Sequence, residues 1–174
     1  SNCPGKNAVA VAELTLGLIL SLDRRIPFAN AEMKLSEWNK KEYSKAPGLL
    51  GKTLGVVGLG TIGQEVISRA KSFNLKIIGW SRSLTPAKAE MMGIEYAASI
   101  EALAQESDIL SIHLAYTKET NHLLSDNVLA ALKPKSYVIN TSRGGIIDER
   151  ALLAVLDTKE IWYATDVFEE EPGS

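Results

Sequence analysis

Three glycines, Gly58, Gly60 and Gly63, have the spacing G-x-G-x-x-G, which can seat a diphosphate against the peptide backbone. The apolar run 54–57 precedes them and apolar residues at helical spacing follow them, so we predict a turn between a buried strand and a helix. In such a turn the first glycine permits the tight bend, the second lets the pyrophosphate approach, and the third lets helix and strand pack closely. The N–H groups that begin the helix then hold the phosphates. The pattern predicts a dinucleotide-binding turn, and the alternative is a glycine-rich turn without a ligand.

The end of the second predicted strand bears on which dinucleotide is bound. NAD sites of this type place Asp or Glu about 20 residues past the first glycines, where it accepts a hydrogen bond from the ribose 2′-OH. Here the sequence is Trp80-Ser81-Arg82-Ser83, which has no carboxylate. Ser81 can donate to a phosphate, and Arg82 can pair with a 2′-phosphate through two hydrogen bonds. We therefore expect NAD or NADP, with a preference for NADP; the alternative is a solvated Arg82 beside a Ser81 that tolerates NAD.

Strands and helices must alternate along the chain to position these residues. We predict strands at 54–58, 75–80, 94–96, 108–113, 136–141 and 161–165. We predict helices at 8–24, 61–73, 86–92, 99–105, 125–132 and 148–157, with a more polar helix or arm at 28–42. This alternation indicates an α/β fold, a Rossmann-type doubly wound parallel sheet in a single domain. In such sheets the ligand lies beyond the carboxyl ends of the strands, so the site residues should follow strands.

The composition argues against several classes of partner. The net charge is −2 with scattered Lys and Arg, so we expect no nucleic acid partner. The apolar run 8–22 contains Glu13 and is too short to span a membrane, so we expect no membrane association. A single cysteine, Cys3, excludes an internal disulfide, and we expect a cytoplasmic protein without a metal site.

Five ordered motifs together resemble the D-2-hydroxyacid dehydrogenase family over nearly the whole chain. The motifs are Val11-Ala12-Glu13-Leu14 followed by Trp38, Gly51-Lys52-Thr53-Leu54-Gly55, His113-Leu114-Ala115-Tyr116-Thr117-Lys118-Glu119-Thr120, Asn140-Thr141-Ser142-Arg143-Gly144-Gly145 and Asp166-Val167-Phe168-Glu169-Glu170-Glu171-Pro172. The segments 2–5 and 24–27 favour the phosphoglycerate dehydrogenase-like members. The resemblance implies an oxidoreductase that transfers a hydride between a nicotinamide dinucleotide and a small D-2-hydroxy or 2-keto acid.

The resemblance implies two catalytic residues in this chain. Arg143 would bind the substrate carboxylate and polarise the keto oxygen, because a guanidinium matches a carboxylate with two hydrogen bonds. Glu171 would hold a catalytic histidine and raise its pKa, which favours the imidazolium that donates a proton. The alternatives are a surface ion pair for Arg143 and a solvated acidic run for Glu171.

The resemblance also assigns the cofactor contacts, including Asp166 as the partner of the nicotinamide carboxamide. The expected cofactor-binding residues are Gly58, Gly60, Thr61, Ile62, Gly63, Ser81, Arg82, His113, Leu114, Ala115, Thr120, Thr141, Ser142 and Asp166. Three of them depart from the family pattern: Ala115 replaces a common proline, Thr61 a frequent Arg or Lys, and Ser81 the acidic residue. Neither His113 nor His122 matches the catalytic histidine, so we expect His113 to line the pocket and His122 to lie in a solvated loop.

The family's catalytic histidine lies beyond its glutamate, and its substrate-binding domain is built from both ends of the chain. We therefore expect residues 1–174 to form the dinucleotide-binding domain alone, with cofactor binding and no appreciable turnover. Segment 1–45 would be a helical arm that joins two subunits into a homodimer; the alternative is that its helix only covers its own sheet.

Three functions fit these residues. Phosphoglycerate oxidation comes first, and reduction of glyoxylate or hydroxypyruvate is the alternative within the same chemistry. A dinucleotide-sensing, corepressor-like binding protein is the alternative from another class, because a fold does not fix a function.

Overall fold

Strands and helices alternate in the computed structural model, which describes residues 7–170. The strands are β1 (Thr53–Val57), β2 (Lys76–Trp80), β3 (Glu95–Tyr96), β4 (Ile109–Ile112), β5 (Tyr137–Asn140) and β6 (Trp162–Thr165). The helices are α1 (Ala8–Arg24), α2 (Ile26–Lys34), α3 (Lys40–Tyr43), α4 (Thr61–Lys71), α5 (Pro86–Met92), α6 (Ile100–Glu106), α7 (Asp126–Ala131) and α8 (Glu149–Lys159). A 3₁₀ turn spans Gly144–Ile146.

The six strands form one sheet in the order β3-β2-β1-β4-β5-β6, and every pair is parallel. Val57, the last residue of β1, is paired with Trp80 of β2 on one side and with Ile112 of β4 on the other. The strand order reverses between β1 and β4, so the crevice for a ligand opens there. The predicted Rossmann-type, doubly wound sheet is confirmed.

Helices cover both faces of the sheet, because its central strands β1, β4 and β5 are buried on both sides. One core cluster gathers residues of α6, α7 and α8, among them Leu103 and Leu129, against the sheet. The other gathers residues of α1, α4 and α5, among them Ile19 and Val66, against the opposite face. Within residues 7–170, no helix is both long and apolar enough to cross a bilayer.

The segment 28–42, expected as one helix or arm, is divided. Helix α2 buries no residue, so no packing extends it, and Ser36 ends the turn with a left-handed φ of 61°. The short α3 follows after an irregular stretch. Helix α1 ends before Pro27 as predicted, with Arg25 at a φ of 53° between the two helices.

Candidate functional site

A cleft of about 570 Å³ opens at the carboxyl ends of β1, β2 and β4. Its walls include the expected residues Gly58, Gly60, Ser81, Arg82, His113, Leu114, Ala115 and Thr120. The other expected residues lie outside its lining: Thr61, Ile62 and Gly63 in the first turn of α4, and Thr141, Ser142 and Asp166 after β5 and β6. The sheet order therefore brings the ends of β1, β2 and β4 into one cleft, and the ends of β5 and β6 lie beside it.

The three glycines occupy positions that impose different steric demands. Gly58 has a φ of +95°, and a Cβ there would stand 2.8 Å from the carbonyl carbon of His113. A Cβ on Gly63 would overlap the carbonyl oxygen of Gly58. Gly60 has no atom within 4 Å of where its Cβ would be. The protein's own backbone thus requires glycine at 58 and 63, while Gly60 borders open space.

The first turn of α4 offers N–H donors beside that open space. Gly60 is the N-cap and makes no side-chain capping bond, and the first turn carries no acidic residue. The Gln64 N–H donates to the Gly60 carbonyl at 3.0 Å, and no acceptor within residues 7–170 reaches the N–H groups of Thr61, Ile62 and Gly63. Free donors, the positive end of the helix dipole and an open approach fit a diphosphate.

The rim of the cleft after β2 is basic. Arg82 is exposed there, and Lys88 on α5 lines the same rim with its Nζ donating to the Ser83 carbonyl at 3.0 Å. Sequence reasoning missed Lys88, although its position in the first turn after Pro86 marked it as close to the strand end. Glu119 faces this rim, where the hydrogen bond from Thr117 and, less strongly, the charge of Arg82 lower its pKa.

His113 is a buried, neutral wall residue. Its Nε2 lies 2.8 Å from the Ser111 Oγ, and its Nδ1 has no hydrogen-bond partner among the described residues. Burial lowers the pKa of His113 from 6.5 to about 4. A histidine that is neutral near pH 7 is a poor proton donor, which supports pocket lining rather than acid catalysis.

The burial of His113 predicts a pH-dependent stability. Because its pKa is 6.5 when exposed and about 4 when folded, the unfolded chain takes up this proton first as the pH falls. The stabilisation is complete above 6.5 and lost toward pH 4, by about 3 kcal/mol. Urea unfolding across this range should therefore show a smaller pH dependence in His113→Gln than in the unchanged protein. An equal dependence in both would contradict the assignment.

Thr120 ties the loop after β4 to itself. Its hydroxyl accepts from the Thr117 N–H at 2.8 Å and donates to the Ala115 carbonyl at 2.8 Å. Thr120 is buried, with 4% of the residue exposed, so this bond is protected from water. The bond stiffens the loop where Ala115 replaces the proline expected from the family pattern.

The side chains after β5 make internal hydrogen bonds. The Thr141 Oγ lies 2.9 Å from the Thr15 Oγ of α1, and the Ser142 Oγ donates to the Ile112 carbonyl at 2.5 Å. Both residues are buried. Only their backbone is left for a ligand, and that is the part of each residue expected to line the cofactor.

Arg143 is exposed and follows the end of β5 directly. Asn140 clamps the turn around it, because its side-chain amide donates to the Arg143 carbonyl at 2.9 Å and accepts from the Ser142 N–H at 3.0 Å. The Arg143 Nη1 donates to the Ser142 carbonyl at 2.6 Å, and no carboxylate in residues 7–170 lies within 4 Å of the guanidinium. The surface ion pair considered for Arg143 is therefore not found in this range.

The segment after β6 is described only as far as Glu170. Asp166 is exposed just beyond the strand, and the Thr165 hydroxyl donates to the Asn140 carbonyl at 2.8 Å and accepts from the Val167 N–H at 3.1 Å. Glu171 lies outside the described residues, as does Cys3. No cluster of three His, Cys, Asp or Glu side chains suited to a metal occurs in the described part of the chain.

Comparison with known proteins gives one consistent result. Residues 16–174 match the family described as D-isomer specific 2-hydroxyacid dehydrogenase, NAD binding domain. The chain is 43% identical over 172 residues to D-3-phosphoglycerate dehydrogenase of Methanocaldococcus jannaschii, covering 98% of this chain and 33% of the relative. It is 45% identical over 181 residues to glyoxylate reductase of Thermococcus litoralis, and this match covers 99% of this chain and 54% of the relative.

Solved structures agree with the sequence matches. The holo form of D-mandelate dehydrogenase from Rhodotorula graminis superposes with a TM-score of 0.91 at 32% identity, covering 99% of this chain and 52% of that one. The chain therefore spans about a third to about half the length of the relatives it matches.

Proposed function

The chain belongs to the D-isomer specific 2-hydroxyacid dehydrogenase family, and on that premise we propose that it is the cofactor-binding domain of an oxidoreductase acting on a D-2-hydroxy acid. The bound dinucleotide would supply hydride transfer between its nicotinamide ring and C2 of the substrate. The observation that carries the proposal is the cradle at the start of α4, where Gly60 borders open space beside unpaired N–H groups.

The residues of the chain would bind the coenzyme and the substrate and hold the catalytic histidine. Gly60 and the N–H groups of Thr61, Ile62 and Gly63 hold the diphosphate. The backbone at 113–115 and 141–142 lines the nicotinamide half, and Asp166 accepts from its carboxamide. Arg143 binds the substrate carboxylate, and Glu171 holds a histidine supplied by the rest of the protein.

Phosphoglycerate is the proposed substrate, with glyoxylate or hydroxypyruvate as the alternative. The relatives that the chain matches include enzymes named for both. The test is an assay of the full-length protein with a panel of 2-keto acids and both coenzymes. Turnover of 3-phosphohydroxypyruvate well above that of the other acids supports phosphoglycerate as the substrate. A preference for glyoxylate or hydroxypyruvate supports the alternative. No turnover of any 2-keto acid contradicts the proposed function.

NADP is the proposed coenzyme, because Ser81, Arg82 and Lys88 put two cations and a hydroxyl on the rim after β2. Arg82→Ser should weaken NADPH binding about 10- to 100-fold and change NADH binding less than about threefold, since a charged hydrogen-bonded pair contributes about 1.5–3 kcal/mol. Parallel calorimetric titrations of both proteins measure this.

Arg24→Ser is the matched control, because Arg24 is an exposed arginine at the end of α1, away from the cleft. It should leave both affinities unchanged. Equal affinity of the unchanged protein for NADH and NADPH would defeat the Arg82 argument.

Residues 1–174 are proposed as one dinucleotide-binding domain whose segment 1–45 joins two subunits. Leu35 and Trp38 support this, because they are 73% and 71% exposed on the arm. The full-length protein should therefore sediment as a dimer, and its Trp38→Ser variant should associate more weakly. We also propose a cytoplasmic protein without a nucleic acid partner, in keeping with one cysteine and a net charge of −2.

A further inference from the structure

The residues proposed to line the nicotinamide half and to bind the substrate lie on three separate segments that follow β4, β5 and β6. A parallel sheet fixes where strands end, but it leaves the loops beyond them free to adopt different relative positions. Arg143 lies on the second segment, and the acidic segment 166–170 is the third. Their relative position therefore depends on contacts between the loops.

Backbone hydrogen bonds join the first segment to the second. The His122 N–H donates to the Gly145 carbonyl at 2.8 Å, and the Leu124 N–H donates to the Ile146 carbonyl at 3.1 Å. Leu124 and Ile147 form an isolated parallel bridge outside the main sheet. The loop after β4 is thus fixed along the turn that presents Arg143.

The His122 side chain joins the third segment to the other two. Its Nε2 makes a short contact with the Glu169 Oε1, and its Nδ1 lies 4.0 Å from the Asp148 Oδ2. The Glu169 N–H also donates to the Glu149 Oε1 at 3.0 Å. The His122 side chain is 41% exposed in its loop and also lies between carboxylates from two segments.

The Arg143 turn and the third segment also meet directly. A Cβ on Gly144 would overlap the backbone of Phe168 and Glu169, so the two chains are in close contact there. That contact limits how near the segments come, and within the described range no backbone hydrogen bond joins Gly144 to Phe168 or Glu169. Lateral restraint comes from two side chains that reach Glu169: the His122 imidazole contacts its carboxylate, and the Glu149 carboxylate accepts from its N–H.

We propose that His122 is a positioning residue that fixes the segment 166–170 against the Arg143 turn. Its effect on catalysis rests on the proposed function, whereas its effect on loop order does not. Small displacements of groups that orient a substrate lower the rate of the chemical step more than they weaken binding elsewhere.

Two variants separate the imidazole from the backbone. His122 has a φ of 49°, a conformation that asparagine tolerates and alanine does not. In the full-length protein His122→Ala should lower kcat about tenfold, because the segment 166–170 loses its restraint against the Arg143 turn. His122→Asn, which keeps this backbone conformation but lacks the Nε2 that contacts Glu169, should lower kcat by a similar factor, and a recovery would assign the loss to the backbone.

Glu169→Ala provides the partner for a double-mutant cycle. If the bond acts as proposed, the double variant should be no slower than the worse single variant. Lys135→Ala is the matched control: Lys135 also has a positive φ, 64°, and lies ahead of β5 at the opposite end of the sheet. It should leave kcat unchanged.

Hydrogen exchange gives a readout independent of activity. Amides in 166–170 should exchange about tenfold faster in His122→Ala than in the unchanged protein or Lys135→Ala. Unchanged exchange in this segment, or additive losses in the cycle, would overturn the inference. If the unchanged protein turns over no 2-keto acid, the proposed function fails, and the exchange result still decides whether His122 orders the segment.

Discussion

Replacing Arg143 with glutamine in the full-length protein should lower kcat/KM for a 2-keto acid about 1000-fold, a loss of about 4 kcal/mol in transition-state stabilisation. The guanidinium is exposed at a strand end with no carboxylate partner in the described range, and Asn140 fixes the turn that presents it. Arg143→Lys should restore little, because an ammonium lacks the planar pair of donors that matches a carboxylate. Steady-state kinetics at saturating coenzyme measure the loss.

Two further measurements make the Arg143 result specific. NADH affinity should stay within about twofold, since the α4 cradle is intact. Arg150→Gln is the matched control, because Arg150 is an exposed arginine at the start of α8 and makes no ion pair within 4 Å in residues 7–170. A fall of less than about tenfold in Arg143→Gln would mean that another group binds the substrate carboxylate.

Gly58→Ala should abolish measurable NADH binding and destabilise the fold by about 3 kcal/mol. The added Cβ would stand 2.8 Å from both the His113 carbonyl carbon and the Leu114 Cδ2, and the φ of +95° is one that alanine rarely adopts. The turn must therefore move, and the first turn of α4 moves with it. Urea unfolding and calorimetric titration of the same variant measure both effects.

Two other glycines separate stability from binding. Gly60→Ala should leave the free energy of unfolding nearly unchanged and weaken NADH binding about 100-fold, because a Cβ there meets only the ligand. Gly17→Ala, in the exposed part of α1, should stabilise the fold by about 1 kcal/mol and leave binding unaffected. Wild-type affinity in Gly60→Ala would mean that the diphosphate lies elsewhere.

The spacing of apolar residues, together with the residues that start and end helices, was enough to predict the sheet and its helices. Apolar runs located the buried strands β1, β4 and β5 to within about two residues, because a strand covered on both faces must be apolar throughout. The predicted helix 148–157 begins at Asp148, a residue type that favours the N-cap, and its carboxylate accepts from the N–H groups of Arg150 and Ala151. These features depend on residues that are close together in the sequence, so they can be predicted from one sequence alone.

Contacts between distant segments were not predictable in the same way. The Asn140 clamp, the Lys88 side chain on the cleft rim and the place of His122 between two carboxylates each depend on how loops meet after the sheet has formed. The 3₁₀ turn at Gly144–Ile146 has no periodic signal in three residues. Sequence reasoning therefore located the strand ends and missed the bonds that join the loops beyond them.

The unequal demands on the three glycines bear on how such a motif would change over evolutionary time. A descendant that no longer carried a coenzyme would be released from its constraint at Gly60 alone, while Gly58 and Gly63 would still be required by the chain's own packing. Gly58 and Gly63 would then be retained although no coenzyme was bound. In distant homologues, the residue at the position of Gly60 should therefore indicate coenzyme binding better than the residues at 58 and 63.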